Sequence, residues 1–314
     1  MSSSTSPSDV VELYRNKNVA SYRVPATVEG ADGRKYNVGE RIDAGGNAVV
    51  HRCQEAISGD EYAIKFQVEF GRGGARRRRF EREVALLRSL DDEHIIKWIT
   101  DGSVDTVAQS GGGPRNARHR RGANSSGHWA SGKPISIPFV VLEVADRHLQ
   151  AHVKAEGTIA PSVYLPQFIG LARALVKINS MALHRDIKPE NILVVRDKWV
   201  ISDFGLCDLG GEGADLTGPE EKVGPAFWMS PEASNQRLGC KDLIGQQSDV
   251  FQLASVFWYV ACGRHPTGIV RSTDWRGESS ALFGVLEQAL LHCGQSRFTT
   301  SESFSTAIRG AVLP

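Results

Sequence analysis

No pair of cysteines at C-x-x-C spacing, and no histidine at zinc-finger spacing, accompanies the five cysteines of this 314-residue sequence, Cys53, Cys207, Cys240, Cys262 and Cys293. An odd, scattered set of thiols argues against a disulfide framework or structural zinc and for reduced thiols in a cytoplasmic setting. Charge of one sign is missing too. Thirty-seven Lys plus Arg stand against 36 Asp plus Glu, a net charge of +1, so bulk charge gives no reason to expect a nucleic-acid or membrane partner. No apolar run reaches the ~20 residues that a bilayer span needs. The most apolar stretch, Val250 to Cys262, reads instead as a buried helix. The opening MSSSTSPSDV lacks the basic region and apolar stretch of a secretory signal, and no internal repeat is present.

What is there is ordinary globular material: 41% hydrophobic and 23% charged residues, with 32 Gly and 13 Pro. That excludes collagen-like, fibrous and wholly disordered classes. At ~150 residues per domain, the length suits two lobes or one large domain.

Residues 1–34 read as an N-terminal extension whose first ten or so residues, Ser-rich and poor in apolar groups, are expected to be disordered. Runs rich in β-formers follow at Lys35 to Ile42, Val49 to Cys53 and Tyr62 to Val68, separated by Gly-containing turns, as in an antiparallel meander. From Arg76 to Leu90, Phe80, Val84, Leu87 and Leu90 recur at helical spacing. Residues 101–134 change composition abruptly and read as a long, flexible surface insertion between two strands. Ile137 to Val144 suits a buried strand, and from Leu149 the pattern turns mainly helical.

The most informative segment is His184-Arg185-Asp186-Ile187-Lys188-Pro189-Glu190-Asn191, followed twelve residues after Asn191 by Asp203-Phe204-Gly205. Phosphoryl transfer needs a carboxylate to orient the attacking hydroxyl, a cation for the moving charge, and oxygen ligands for Mg²⁺. This segment supplies all of them. It resembles the H-R-D-x-K-x-x-N and D-F-G motifs of protein kinases in order and spacing. Tyr62-Ala63-Ile64-Lys65 resembles that family's V-A-I-K strand, and Ser230-Pro231-Glu232 its A-P-E. Gln247-Ser248-Asp249-Val250 resembles the start of its buried helix, and Arg297 the late Arg that pairs with the A-P-E glutamate. The resemblance covers roughly residues 36 to 310.

It implies an α+β, bilobal kinase-like fold, with a β-rich N-lobe over residues 35–145 and a mainly helical C-lobe over 146–314. It implies ATP and Mg²⁺ as cofactors and a protein substrate. By resemblance, Asp186 is the catalytic base, Lys188 neutralises charge on the transferring group, and Lys65 is held on the nucleotide phosphates by Glu83, 18 residues further on. Asn191 and Asp203 are the implied Mg²⁺ ligands. Ile42, Gly45, Val50, Ala63 and Leu193 are implied around the nucleotide, with adenine bound by the backbone of Glu143 and Ala145. His184, Phe204 and Leu87 are expected to stack. Arg185 implies pairing with a phosphate on the activation loop, for which Thr217 is a candidate site and Glu221 a built-in acidic mimic.

Two features depart from the family pattern. The phosphate-covering loop, Asp43-Ala44-Gly45-Gly46-Asn47-Ala48-Val49-Val50, keeps only Gly45 of three glycines, with Asp43 and Ala48 in place of the others. Pro225 stands where serine/threonine kinases carry Thr, as in tyrosine kinases, whereas Lys188 is the serine/threonine form of the catalytic loop. The expectation is an autophosphorylating serine/threonine kinase. The alternatives are a pseudokinase scaffold with a degraded phosphate loop, a tyrosine or dual-specificity kinase, and a small-molecule phosphotransferase. The basic runs Arg76 to Arg79 and Arg115, Arg118, Arg120 and Arg121 read as solvated surface, so nucleic acid is not an expected partner.

Overall fold

The computed structural model describes residues 9–13, 22–44, 48–68, 75–107, 134–208 and 227–313. The chain divides into two compact units. One comprises residues up to Arg77 with Trp98–Val144, the other Arg78–Lys97 with Ala145–Pro314. The first is β-rich and the second mainly helical, the α+β division that the motifs imply.

In the first unit, β3 (Thr27–Glu29), β4 (Lys35–Ala44), β5 (Ala48–Glu55), β6 (Glu61–Gln67), β7 (Trp98–Asp105) and β8 (Ser136–Glu143) form an antiparallel sheet in the order β3-β4-β5-β6-β8-β7. Side chains alternate between sheet faces, and the register sorts them. Val49, Phe66 and Phe139 lie across from one another, as do His51, Ile64 and Val141. These residues are buried, and the Phe66 and Phe139 ring centroids are 5.8 Å apart. Val50 and Lys65 are cross-strand partners on the opposite face, with Ala63 two residues from Lys65.

The apolar face is covered from the N-terminal side. Strands β1 (Val10–Leu13) and β2 (Tyr22–Pro25) pair so that Val11 faces Val24 and Leu13 faces Tyr22. Leu13 and Val24 are fully buried in the same cluster as Ile64 and Phe139. The segment expected as an extension therefore carries structural strands, and Asp9 and Val10, grouped with the Ser-rich tail, are tied in through the bond from Ala26 N to Asp9 O and the pairing of Val10 with Pro25.

The insertion also begins later than composition implied, because residues 101–105 complete β7. Their polar sequence reads as loop, but each pairs with the Ser136–Val140 stretch of β8. Ala31 N donates to Asp101 O, and Val107 N to Arg23 O. Gly102 is required there, since a Cβ would stand 2.8 Å from Phe139 Cζ. Residues 108–133 lie outside the described residues.

In the second unit, α3 (Pro161–Asn179), α5 (Gln246–Cys262) and α7 (Ser301–Val312) share a core. Phe168 and Phe257 stack at 3.9 Å between ring centroids, and Phe257 meets Phe304 at 6.1 Å. Helix α5 is the apolar run foreseen in the sequence, buried through most of its length and ended by Gly263 at φ 69°, a conformation that favours glycine. Helix α1 (Ala75–Ser89) belongs to this unit from Arg78 onward. Helix α2 (Leu149–Glu156) directly follows β9 (Arg147–His148), which joins β10 (Ile192–Val195) and β11 (Lys198–Ile201) in a short sheet ordered β11-β10-β9. The remaining helices, α4 (Pro231–Arg237) and α6 (Ser280–Ala289), start at side-chain caps from Ser230 and Ser279.

Candidate active site

Residues 180–191 run from the end of α3 to the start of β10 without regular structure, so side chains must fix the backbone. Asp249, fully buried in the first turn of α5, does most of this. It accepts hydrogen bonds from His184 N, Arg185 N and Asn179 Nδ2, each at 2.8 Å. One turn on, Gln252 accepts from Ile187 N at 3.1 Å and donates to Arg185 O at 3.2 Å. Arg185 and Asp203 have φ of 66° and 61°, positive values that cost non-glycine residues of order 1–3 kcal/mol each. They persist because the surrounding bonds over-determine the loop.

This framework holds Asp186, which is 5% exposed. Lys188 Nζ donates to its Oδ2 at 3.0 Å, and Asn191 Nδ2 donates to the same oxygen at 2.7 Å and to the Asp186 carbonyl at 2.8 Å. Burial raises the Asp186 pKa above the ordinary carboxylate value. The charge and hydrogen bond of Lys188 act against this, and the Asp203 charge acts with it. With its amide donating to Asp186, the Asn191 side chain presents its oxygen elsewhere. That oxygen and the Asp203 carboxylate are donors of the kind a hard divalent cation takes. Among the described residues, no group of three or more His, Cys, Asp or Glu forms a metal cluster.

Glu83 on α1 is buried and lies by the D-F-G segment. A Cβ on Gly205 would be 3.6 Å from its Oε2 and 3.4 Å from Asp203 Oδ1. His184 and Phe204 are in contact at 5.0 Å between ring centroids, and Leu87 is buried on α1. Leu193 on β10 is half-buried, paired with Val200 and His148. Arg297, fully buried, forms an ion pair with Glu232, and Ser248 donates to the same carboxylate. The A-P-E glutamate and the late arginine are thus brought together.

In the first unit, Val50, Ala63 and Lys65 share the less covered face of the sheet and are half-buried. Ile42 on β4 is 46% exposed. Asp43, the residue in place of the first loop glycine, is exposed and opposite Val50. Glu143 ends β8, while Ala145 opens the longer stretch of the second unit. Gly45, Thr217 and Glu221 lie outside the described residues.

Sequence reasoning missed Asn179 and Gln252 as supports of the loop. Gln252 was open to discovery, because it lies three residues after Asp249 and so on the same face of α5. It also missed Asp208, whose carboxylate pairs with Arg185.

Among known proteins, the chain is similar to the probable serine/threonine-protein kinase PknB of Bifidobacterium longum, at 26% identity over 239 residues, 74% of this chain and 31% of that protein. The serine/threonine-protein kinase AfsK of Streptomyces coelicolor is 30% identical over 228 residues, 72% of this chain and 24% of that protein. The serine/threonine-protein kinase PrkC of Bacillus subtilis is 25% identical over 236 residues, 74% of this chain and 31% of that protein. The chain therefore spans less than a third of each of these relatives. The protein kinase domain model matches residues 36–306, from the first residues of β4 to within α7, and the chain belongs to the protein kinase family.

Proposed function

We propose that this chain transfers the γ-phosphoryl group of ATP to serine and threonine hydroxyls of protein substrates, itself included. The observation that carries this reading is the Asp186 carboxylate, buried yet held by Lys188 and Asn191 beside the Asp203 charge. In the reaction, the substrate oxygen forms a bond to the γ-phosphorus, the bond from that phosphorus to the β–γ bridging oxygen breaks, and ADP leaves. Asp186 orients the hydroxyl and takes its proton. Lys188 offsets charge on the moving phosphoryl group. Lys65 is assigned to the nucleotide phosphates, and Glu83 is the partner that the family resemblance assigns to it. Asn191 and Asp203 would hold Mg²⁺, which supplies charge neutralisation at the phosphates. Ile42, Gly45, Val50, Ala63 and Leu193 are assigned to the nucleotide, and the backbone of Glu143 and Ala145 to adenine.

The serine/threonine preference rests on Lys188, two residues after Asp186, and on the names of the relatives. Thr217 and Glu221 remain the candidate activation-loop positions. Five free thiols fit a cytoplasmic setting, and no described helix is long and apolar enough to cross a membrane.

The test is transfer of labelled γ-phosphate from Mg·ATP to the chain itself and to a generic acceptor protein, beside Asp186→Asn. We expect incorporation on Ser and Thr, reduced about 10²–10⁴-fold in the variant, the range for loss of a general base. The acid limb of the wild-type rate profile should lie above the ordinary carboxylate range, since burial raises the Asp186 pKa. Absence of transfer by folded wild type at millimolar ATP would overturn the reading in favour of a pseudokinase. Label on tyrosine alone would overturn the serine/threonine assignment.

A further inference from the structure

Arg185 follows His184 in the catalytic loop, and the resemblance expects its guanidinium to take a phosphate on the activation segment. In this chain it has an anionic partner within the described residues. Its Nη2 forms an ion pair with Asp208 Oδ2, with the two side chains only 11% and 17% exposed. The pairing is reinforced in the backbone. Leu183 N donates to Asp208 O at 2.8 Å, and Asp208 N returns a bond to Leu183 O at 2.9 Å. Between these anchors, the Cys207 thiol points at His184 O at 3.8 Å. The segment from the D-F-G aspartate to Asp208 is thus laced to the start of the catalytic loop by two backbone bonds, the Cys207 thiol contact and one charge pair.

We propose that Asp208 is a positioning residue of the catalytic loop. Its carboxylate supplies Arg185 with an in-chain counter-ion, so that Asp186 is held in working geometry without a phosphate on residues 209–226. The physical basis is the strength and direction of a charge-assisted bond between two largely buried side chains. Arg185 is also where the loop backbone is strained, at φ 66°, with its amide bound to Asp249. Asp249 fixes the backbone at this point and Asp208 the side chain. Asp186 is the next residue along, so a change in the Arg185 conformation is carried directly into the orientation of the catalytic carboxylate.

This inference rests on the kinase reading above, and its test separates the two. The full chain is prepared as wild type, Asp208→Ala, Asp208→Asn and Asp208→Glu, with and without prior treatment by a broad-specificity phosphatase, and thermal unfolding confirms that each is folded. We expect phosphatase treatment to leave the wild-type kcat within about two-fold. Asp208→Ala and Asp208→Asn should lower kcat about ten-fold with the KM for ATP almost unchanged, the pattern of an interaction felt in the transition state. Asp208→Glu should recover most of the loss. In an Arg185→Ala background, Asp208→Ala should add little, because the two residues act as one unit. A kcat for Asp208→Ala and Asp208→Asn at or above that of wild type overturns the proposal. So does a wild-type enzyme that loses most of its activity on dephosphorylation.

If wild type transfers no phosphate at all, the kinase reading fails, and the positioning role is judged by amide hydrogen exchange. Faster exchange across residues 183–188 in Asp208→Asn supports it. Unchanged exchange overturns it.

Discussion

The β5–β6 pair of the first unit and the 180–191 loop of the second each fix a charged side chain, and they do so by opposite means. Lys65 sits on a regular strand, its place set by pairing with Val50 and Val140. The sheet is stabilised on its other face by Ile64, Phe66, Phe139 and Val141, all fully buried. Position there is distributed over many ladder bonds and much apolar contact, and no single group decides it. Asp186 sits in irregular backbone with two positive-φ residues in the neighbourhood, and its loop depends on one buried carboxylate, Asp249, with three donors converging on it. A ladder tolerates local change because its bonds are redundant. A hub does not, because removing it leaves several buried donors without an acceptor at once.

The difference can be broken most directly by comparing two residues that are both fully buried, Asp249 and Ile64. Asp249→Ala removes the acceptor of three N–H donors, two of them buried and one half-buried, and should cost about 3–5 kcal/mol in denaturant unfolding, as removal of one side of a buried polar network does. That is a large part of the ~5–15 kcal/mol by which a domain is stable. The molecules that remain folded should show a reduced kcat, because Arg185 and hence Asp186 lose their backbone anchor. Ile64→Val deletes one methylene from the sheet core and should cost about 0.5–1.5 kcal/mol. Steady-state rates should stay near wild type, since the Lys65 register is unchanged. A ten-fold fall in kcat from Ile64→Val would show that the sheet is as brittle as the loop, and the contrast would be lost.

The same contrast governs what the sequence could disclose. Strands β4, β5, β6 and β8 and helices α1 and α5 were legible because period-2 and period-3.6 patterns are local. The catalytic loop was legible for another reason, since Lys188 and Asn191, which meet at the Asp186 carboxylate, lie with it in one short motif. Pairings across long separations were not legible. The β1–β2 hairpin is short and flanked by polar segments, and its role appears only when Leu13 and Val24 are seen in one cluster with Phe139. Residues 101–105 look like loop until paired with β8. Helix α1 follows the β meander in sequence, yet from Arg78 it groups with the helical unit. Asp208 carries no motif at all, and the Leu183–Asp208 bridge is what sets it beside Arg185.

A third way of holding charge, on open surface, sharpens the comparison with the smallest expected effect. Glu93 takes hydrogen bonds from Lys198 and from Arg173, the latter at 2.8 Å, and these partners, Lys198 foremost, hold its pKa down to about 2. The sign of the contribution follows from that direction. A carboxylate whose folded pKa is depressed adds stability above its ordinary pKa and loses it as pH falls from the usual carboxylate range toward 2. The side chains of Glu93, Lys198 and Arg173 are all about half exposed, at 49%, 52% and 45%. Solvent and salt screen such pairs, and holding long side chains in one geometry offsets much of the attraction. Lys198→Ala should therefore shift the melting temperature less than either substitution above, and the shift should be present at neutral pH and shrink both in ~1 M salt and below the ordinary carboxylate range. A salt-insensitive loss as large as that of Asp249→Ala would mean that the surface cluster is a hub in its own right, and that burial is not what makes the catalytic loop brittle.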